Sequence, residues 1–330
     1  MKNKTSTPED SHDGCCHEDK IEPQAQAPVS NEIASPRTID KNYFLGICIV
    51  IAAAIIGGAL LFTLRFKVPD DILSAQAVAE LEKTIIPDTG VVLPITWGDL
   101  GKQLAGNGSI DMKKFEELYG QRGGLDNETK KLLTATNNGQ PVITKDNANV
   151  LLNVLWALGL ANKNEILEKG PMVEKQYGGN PGQFASTGGW TLAVGNPMDH
   201  YSRHSMISLT PEQQSLVERV SKNIYRPCCG NSTYFPDCNH GMAMLGLLEL
   251  MASQGVNEAD MYKAALAVNV YWFPDTYITI GQFFKMKDIA WKSIDPKAIL
   301  GSEYSSGAGF QNIKSQVAPV PQKGGGSCAA

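Results

Sequence analysis

The run YFLGICIVIAAAIIGGALLFTL, residues 43–64, contains 22 residues without a charge and lies between Lys41 and Arg65. As a helix it reaches roughly 33 Å, enough to cross a hydrocarbon core of about 30 Å. A buried helix of that length in a water-soluble domain normally keeps a polar stripe, and this one has none. The stretch predicts a single membrane span. Some forty residues precede it, far more than the short charged segment of a cleaved signal peptide, so an uncleaved anchor is expected. Arg37 and Lys41 before the span balance Arg65 and Lys67 after it, and the positive-inside rule barely chooses between orientations. A long polar tail before the span and a large domain after it point to an inside N-terminus. The C-terminal domain is then extracytoplasmic, with the lipid bilayer as a partner.

On either side of the span the composition changes. Residues 1–42 are rich in Ser, Thr, Pro, Asp, Glu and Lys, and they bury too little to offset their ordering entropy. That tail carries HDGCCHED, in which Cys15, Cys16, His12 and His17 form a flexible soft-donor cluster. Residues 65–90 read as a juxtamembrane connector with one helix, about 70–83, stopped by Pro87-Asp88-Thr89-Gly90. A globular domain follows over 91–300. Residues 301–330 return to Gly, Ser and Pro and read as a flexible tether ending near Cys328. Only two residues follow Cys328, so it is not a prenylation box.

Helix punctuation recurs through the globular part. Thr96 with Asp99, SIDMKKFEELYG ending at Gly120, and apolar residues at helical spacing in NVLLNVLWALGLA each mark a helix. TPEQ, from Thr210, is the cleanest start: Thr210 caps, Pro211 takes the first position and Gln213 closes a capping box. Asp237 is expected to cap a helix from 238 to 254 ending at Gly255, and Asn257 with Asp260 to start the next, which ends at Pro274. The Gly-rich segment 178–197 holds a short β-like run, 189–194, which is expected as a hairpin or an extended loop. The fold class expected is mainly α: one transmembrane helix, then a helical domain with a small Gly-rich β-like segment.

The chemistry concentrates in RPCCGNSTYFPDCNHGMAM, which starts at Arg226. Cys228 and Cys229 sit in a turn ten residues or so before Cys238 and His240 at a helix start, where the partial positive charge favours thiolate. Thiolate and imidazole suit copper(I), zinc or iron. The adjacent pair departs from zinc-finger spacing, and there is no Cys-x-x-Cys-His run for covalent haem. Met242 and Met244 are soft as well, but core filling is the better account of them. A disulfide between Cys238 and Cys228 or Cys229 is the competing structural use, worth about 2–3 kcal/mol for so short a loop. On a helix Cys238 and His240 project about 200° apart, which argues against their acting as a nucleophile–base couple.

His200 and His204 are four apart in MDHYSRHS, on one face if that segment is helical. They are candidates to join the cysteines as metal ligands, or to hold a b-type haem. A net charge of −5 excludes a basic nucleic-acid surface. No Gly-x-Ser-x-Gly elbow, His-Glu-x-x-His pair or phosphate loop is present.

Residues 225–272, a cysteine-bearing loop followed by a helix, Gly255 and a second capped helix, resemble the H-type thiol-oxidoreductase domain of the cytochrome c maturation family. They are also similar to small membrane-associated proteins named for a Pro-Cys-Tyr-Cys-Gly-Cys motif. The resemblance implies thiol chemistry outside the cytoplasmic membrane, with Cys228 and Cys229 as the thiols and a thiol protein as partner. Here the two cysteines are adjacent, not spaced as Cys-x-x-Cys. The expectation is a membrane-anchored domain that binds a soft metal or handles thiols at Cys228, Cys229, Cys238 and His240. The alternative is an anchored structural or interaction domain with a stapled loop.

Overall fold

Two nearly all-apolar helices lie back to back at the centre of the domain, in a computed structural model that describes residues 73–317. The first half runs α1 (Ala75–Ile85), β1 (Val91–Val92), α2 (Leu100–Gly106), α3 (Met112–Gly120), α4 (Asn127–Thr134), β2 (Val142–Ile143), α5 (Ala148–Ala161) and α6 (Glu165–Lys169). The second half runs α7 (Pro211–Ser221), α8 (Asn239–Ser253), α9 (Glu258–Trp272), α10 (Pro274–Met286), α11 (Pro296–Leu300), α12 (Ser302–Ser305) and α13 (Gly307–Lys314). The class is mainly helical. β1 and β2 form one short antiparallel pair, Val91 opposite Ile143.

The central pair is α5 and α8. Every residue of α5 except Asn149 is buried, and so is nearly all of α8, which explains why neither carries a polar stripe. Glycine permits their close approach. A methyl group on Gly159 would overlap the Met242 carbonyl, and one on Gly246 would stand 2.7 Å from the Gly159 nitrogen. Around this pair pack α7 and α9, and α10 packs on α9 in turn, with Trp156, Trp190 and Trp272 among the buried side chains.

Local chemistry sets most helix starts. Thr210 and Gln213 make the expected capping box, with Pro211 in the first turn of α7. Asn257 accepts from the Asp260 amide at the start of α9. Pro274 ends α9 as expected and opens α10. The start of α2 differs: Asp99, not Thr96, stands at the N-cap position, and it makes no capping bond through its side chain.

Three further expectations change. The run 189–194 forms turns instead of a strand, because Trp190 is drawn into the core and donates to the Ser109 carbonyl at 2.8 Å. Its β-forming composition yields to burial. The connector expected over 65–90 ends inside the folded body: Leu81, Ile85 and Ile86 are buried, and α1 lies against Gly281 of α10. The tether expected from 301 begins as α12 and α13, with Ile313 in the core.

The tail 1–42, the span 43–64, and Cys328 lie outside the described residues. Among the described residues no helix is long and apolar enough to cross a membrane.

Candidate metal centre

Chain reversal between α7 and α8 builds the site. Tyr225 and Ser232 bridge antiparallel, and the Thr233 amide donates to the Ile224 carbonyl at 2.8 Å, closing a small loop. Within it Arg226-Pro227-Cys228-Cys229 is a tight turn: the Cys229 amide donates to the Arg226 carbonyl at 3.3 Å, with proline at the position that favours such turns. The Gly307 amide clamps the Cys229 carbonyl from the C-terminal side at 2.9 Å. The loop then returns through Asp237 into α8.

At that return the N-cap is Cys238, one residue later than the Asp237 expected. Its backbone is extended (φ −120°, ψ 164°), and its Sγ accepts from the Gly241 amide at 3.4 Å. A sulfur thus occupies the place usually taken by a Ser or Asp oxygen. The Cys228 and Cys238 sulfurs are 3.7 Å apart, and the three donor atoms of Cys228, Cys229 and Cys238 all lie within 4.8 Å of one another. None of the three is in a disulfide. Cys228 is exposed, whereas Cys229 and Cys238 are half-buried.

Beneath the sulfurs lies Arg226, entirely buried. Its Nε donates to Cys238 Sγ at 3.1 Å, and its Nη2 donates to Asp237 Oδ1 at 2.7 Å and to the Phe235 carbonyl at 3.3 Å. Asn231 secures the other Asp237 oxygen at 2.7 Å. The guanidinium lies flat on Gly241, where a Cβ would stand 2.6 Å from the Arg226 Cζ. Any larger residue at 241 would displace the cation.

The electrostatics follow from this packing. Hydrogen bonds from Cys228 and Cys229 hold the Cys238 thiol well below its ordinary pKa. The Arg226 charge and a smaller contribution from His240 act in the same direction, against burial. Cys228 moves up, through its bonds with Cys229 and Cys238 and through burial. Burial alone would lower the Arg226 pKa, but Cys238, Cys229, Asp237 and Cys228 together raise it, so the guanidinium stays charged. The packing thus favours ionisation at Cys238, beside the Arg226 cation, and the protonated form at Cys228 and Cys229.

The structure therefore brings Cys228, Cys229 and Cys238 together. No histidine belongs to that cluster among the described residues. His240 is buried next in line, its ring against Phe273 at 4.4 Å between centroids, and its Nδ1 has no hydrogen-bond partner among the described residues. The helical-wheel separation from Cys238 does not apply, because the cap residue is not helical. Met242 and Met244 are core, fully buried. His200 and His204 meet each other, Nδ1 to Nε2 at 3.2 Å, but through a turn and not along a helix. With their facing nitrogens 3.2 Å apart, the two rings are not placed to cover the two faces of one haem. Arg226, Asp237 and Gly241 escape a motif search. Their signal is faint: one Arg two residues before the cysteine pair, one Asp just before Cys238, one Gly just after His240.

Compared with protein-family models, curated proteins and solved structures, the chain matches none of them.

Proposed function

We propose that this is a membrane-anchored domain that presents a three-sulfur site for a soft metal cation, copper(I) foremost, on the extracytoplasmic side. One observation carries the reading: three cysteine sulfurs within 4.8 Å of one another, with none used in a disulfide. For metal–sulfur bonds of about 2.3 Å, neighbouring sulfurs in a tetrahedral or trigonal site stand roughly 3.8–4.0 Å apart. The Cys228–Cys238 separation of 3.7 Å already meets that requirement. A cation arriving here finds ionisation of Cys238 favoured by the Cys228 and Cys229 hydrogen bonds and by the Arg226 charge, and it displaces the protons of the other two thiols. Copper(I) is satisfied by three soft donors, whereas zinc takes a fourth, for which His240 is the adjacent side chain with an unpartnered nitrogen. The anchor and the outward orientation rest on residues 43–64 and the long tail before them.

Copper(I) competition titration of the reduced full-length protein tests this. One tight equivalent should disappear in the Cys228→Ser/Cys229→Ser/Cys238→Ser variant and persist when Cys15, Cys16 and Cys328 are replaced instead. Retention of that equivalent in the triple variant would refute the reading.

The exposure difference favours a second use of the same atoms, thiol–disulfide exchange, in line with the resemblance of residues 225–272. Exposed Cys228 would pass its proton to the Cys238 thiolate and attack a partner disulfide, and the first partner thiolate expelled would take that proton from Cys238 and leave as a thiol. The Cys238 thiolate, 3.7 Å away, would then attack the mixed disulfide, forming the Cys228–Cys238 bond and expelling the second thiolate. Cys229→Ser separates the two uses, since it removes a metal ligand and leaves both exchanging thiols.

A further inference from the structure

Far from the three-sulfur cluster in sequence, the turn 200–204 is strapped to the C-terminal end of α5. The Ser202 amide donates to the Leu160 carbonyl at 2.9 Å, and the Arg203 and His204 amides donate to the Ala161 carbonyl at 3.1 and 2.8 Å. The Lys163 amide returns to the His204 carbonyl at 2.9 Å. Ser202 takes a left-handed conformation (φ 50°) to make the turn, which sets His200 and His204 side by side without a helix.

The ring chemistry of the pair is determined by its neighbours. His200 Nε2 is 2.9 Å from the Val194 carbonyl oxygen, which can only accept, so Nε2 carries the hydrogen. His200 Nδ1 is left as a lone pair, and it faces His204 Nε2 at 3.2 Å. A histidine that ligates a metal commonly donates its other N–H to a carbonyl in this way, which fixes both tautomer and ring orientation. Gly108 (φ 82°) presses on the same ring: a Cβ there would come within 3.2 Å of His200 Cε1. His200 is buried and rigidly backed, whereas His204 is half-buried and leaves one side open.

We propose that His200 Nδ1 and His204 Nε2 form a second metal site, separate from the cysteine cluster, for a borderline divalent cation such as zinc or copper(II). Two nitrogens at zinc-bond lengths of about 2.0–2.1 Å span a tetrahedral edge of roughly 3.3–3.4 Å. The observed 3.2 Å is close to that bite. Imidazole is the donor that such cations favour over the thiolate preference of copper(I). The carboxyl end of α5 directs its partial negative charge toward the turn and favours a cation there. On binding, the cation replaces the shared hydrogen and His204 moves its proton from Nε2 to Nδ1. No net proton is lost, nothing is oxidised, and water completes the coordination on the open side.

The test is a zinc titration of the full-length protein labelled with nitrogen-15 in its histidine rings, with resonances assigned through His200→Gln and His204→Gln. The proposal expects the His200 Nδ1 and His204 Nε2 signals to move together, and His204→Gln to abolish the response of His200. Should His200→Gln fail to fold because it loses the Val194 contact, His204→Gln, at the half-exposed position, still decides the matter. Zinc shifts confined to His12, His17 and His240, or a His200 response that survives His204→Gln, would overturn it.

Discussion

Arg226 donates from Nε to the sulfur of Cys238 at 3.1 Å while its Nη2 grips Asp237 at 2.7 Å. A fully buried guanidinium is costly unless every strong partner is in place. Here the partners are the Asp237 carboxylate and the Cys238 sulfur, Nη1 has no hydrogen-bond partner among the described residues, and the cation adds to the Cys228 and Cys229 hydrogen bonds that lower the Cys238 pKa.

Removing that cation should therefore do two things together. Arg226→Ala leaves Asp237 and Cys238 without their counter-charge and is expected to cost about 3–5 kcal/mol in urea unfolding. Arg226→Lys keeps the charge but loses the fork, so it should retain more stability while still raising the Cys238 pKa. Thiolate absorbance followed against pH reads the second effect. An unchanged profile in both variants would disconnect Arg226 from the sulfur.

The sign of the pH dependence is fixed by direction. The Cys238 pKa is depressed in the folded protein, so its contribution to stability is complete above the ordinary thiol value of 9.0. That contribution is lost as pH falls through the lowered value. Glu249 works the opposite way: burial lifts its pKa well above 4.5, and the Asn162 bond at 2.6 Å only partly opposes the shift. Its contribution is complete below 4.5 and is lost as pH rises through the raised value. Glu249→Gln should match the parent near pH 4 and exceed it at pH 8 in thermal melts.

At the contact of α5 with α8 there is no space for a methyl group. Gly159→Ala and Gly246→Ala should each destabilise the domain by about 1–3 kcal/mol or more, since backbone and not a flexible side chain must yield. Gly255→Ala, with open space around it but φ of 76°, should be milder, and denaturant midpoints rank the three.

Gly241→Ala combines packing with chemistry. Its methyl would push on the Arg226 guanidinium, so the substitution should lower stability and raise the Cys238 pKa while leaving all three cysteines in place. A stability loss with the thiol profile intact would assign Gly241 to packing alone.

What the sequence discloses here is what neighbours along the chain decide. The Thr210–Gln213 cap, the Asn257 cap and the meeting of Cys228, Cys229 and Cys238 all join residues within about a dozen positions. Trp190 and Ile313 were hidden because their burial depends on partners far away: Ser109 receives the indole, and α10 receives the segment that composition assigns to a tether. The His200–His204 meeting was legible as proximity but not as geometry, since a turn tied to α5 replaces the helix. Arg226 carries no motif, and only its complete burial reveals its part.

X-ray absorption at the copper edge of the protein loaded with one equivalent of copper(I) tests the central claim most directly. The account predicts a first shell of three sulfurs at about 2.3 Å, which vanishes in the Cys228→Ser/Cys229→Ser/Cys238→Ser variant. A first shell of nitrogen or oxygen alone, or a sulfur count unchanged by those three substitutions, would contradict it.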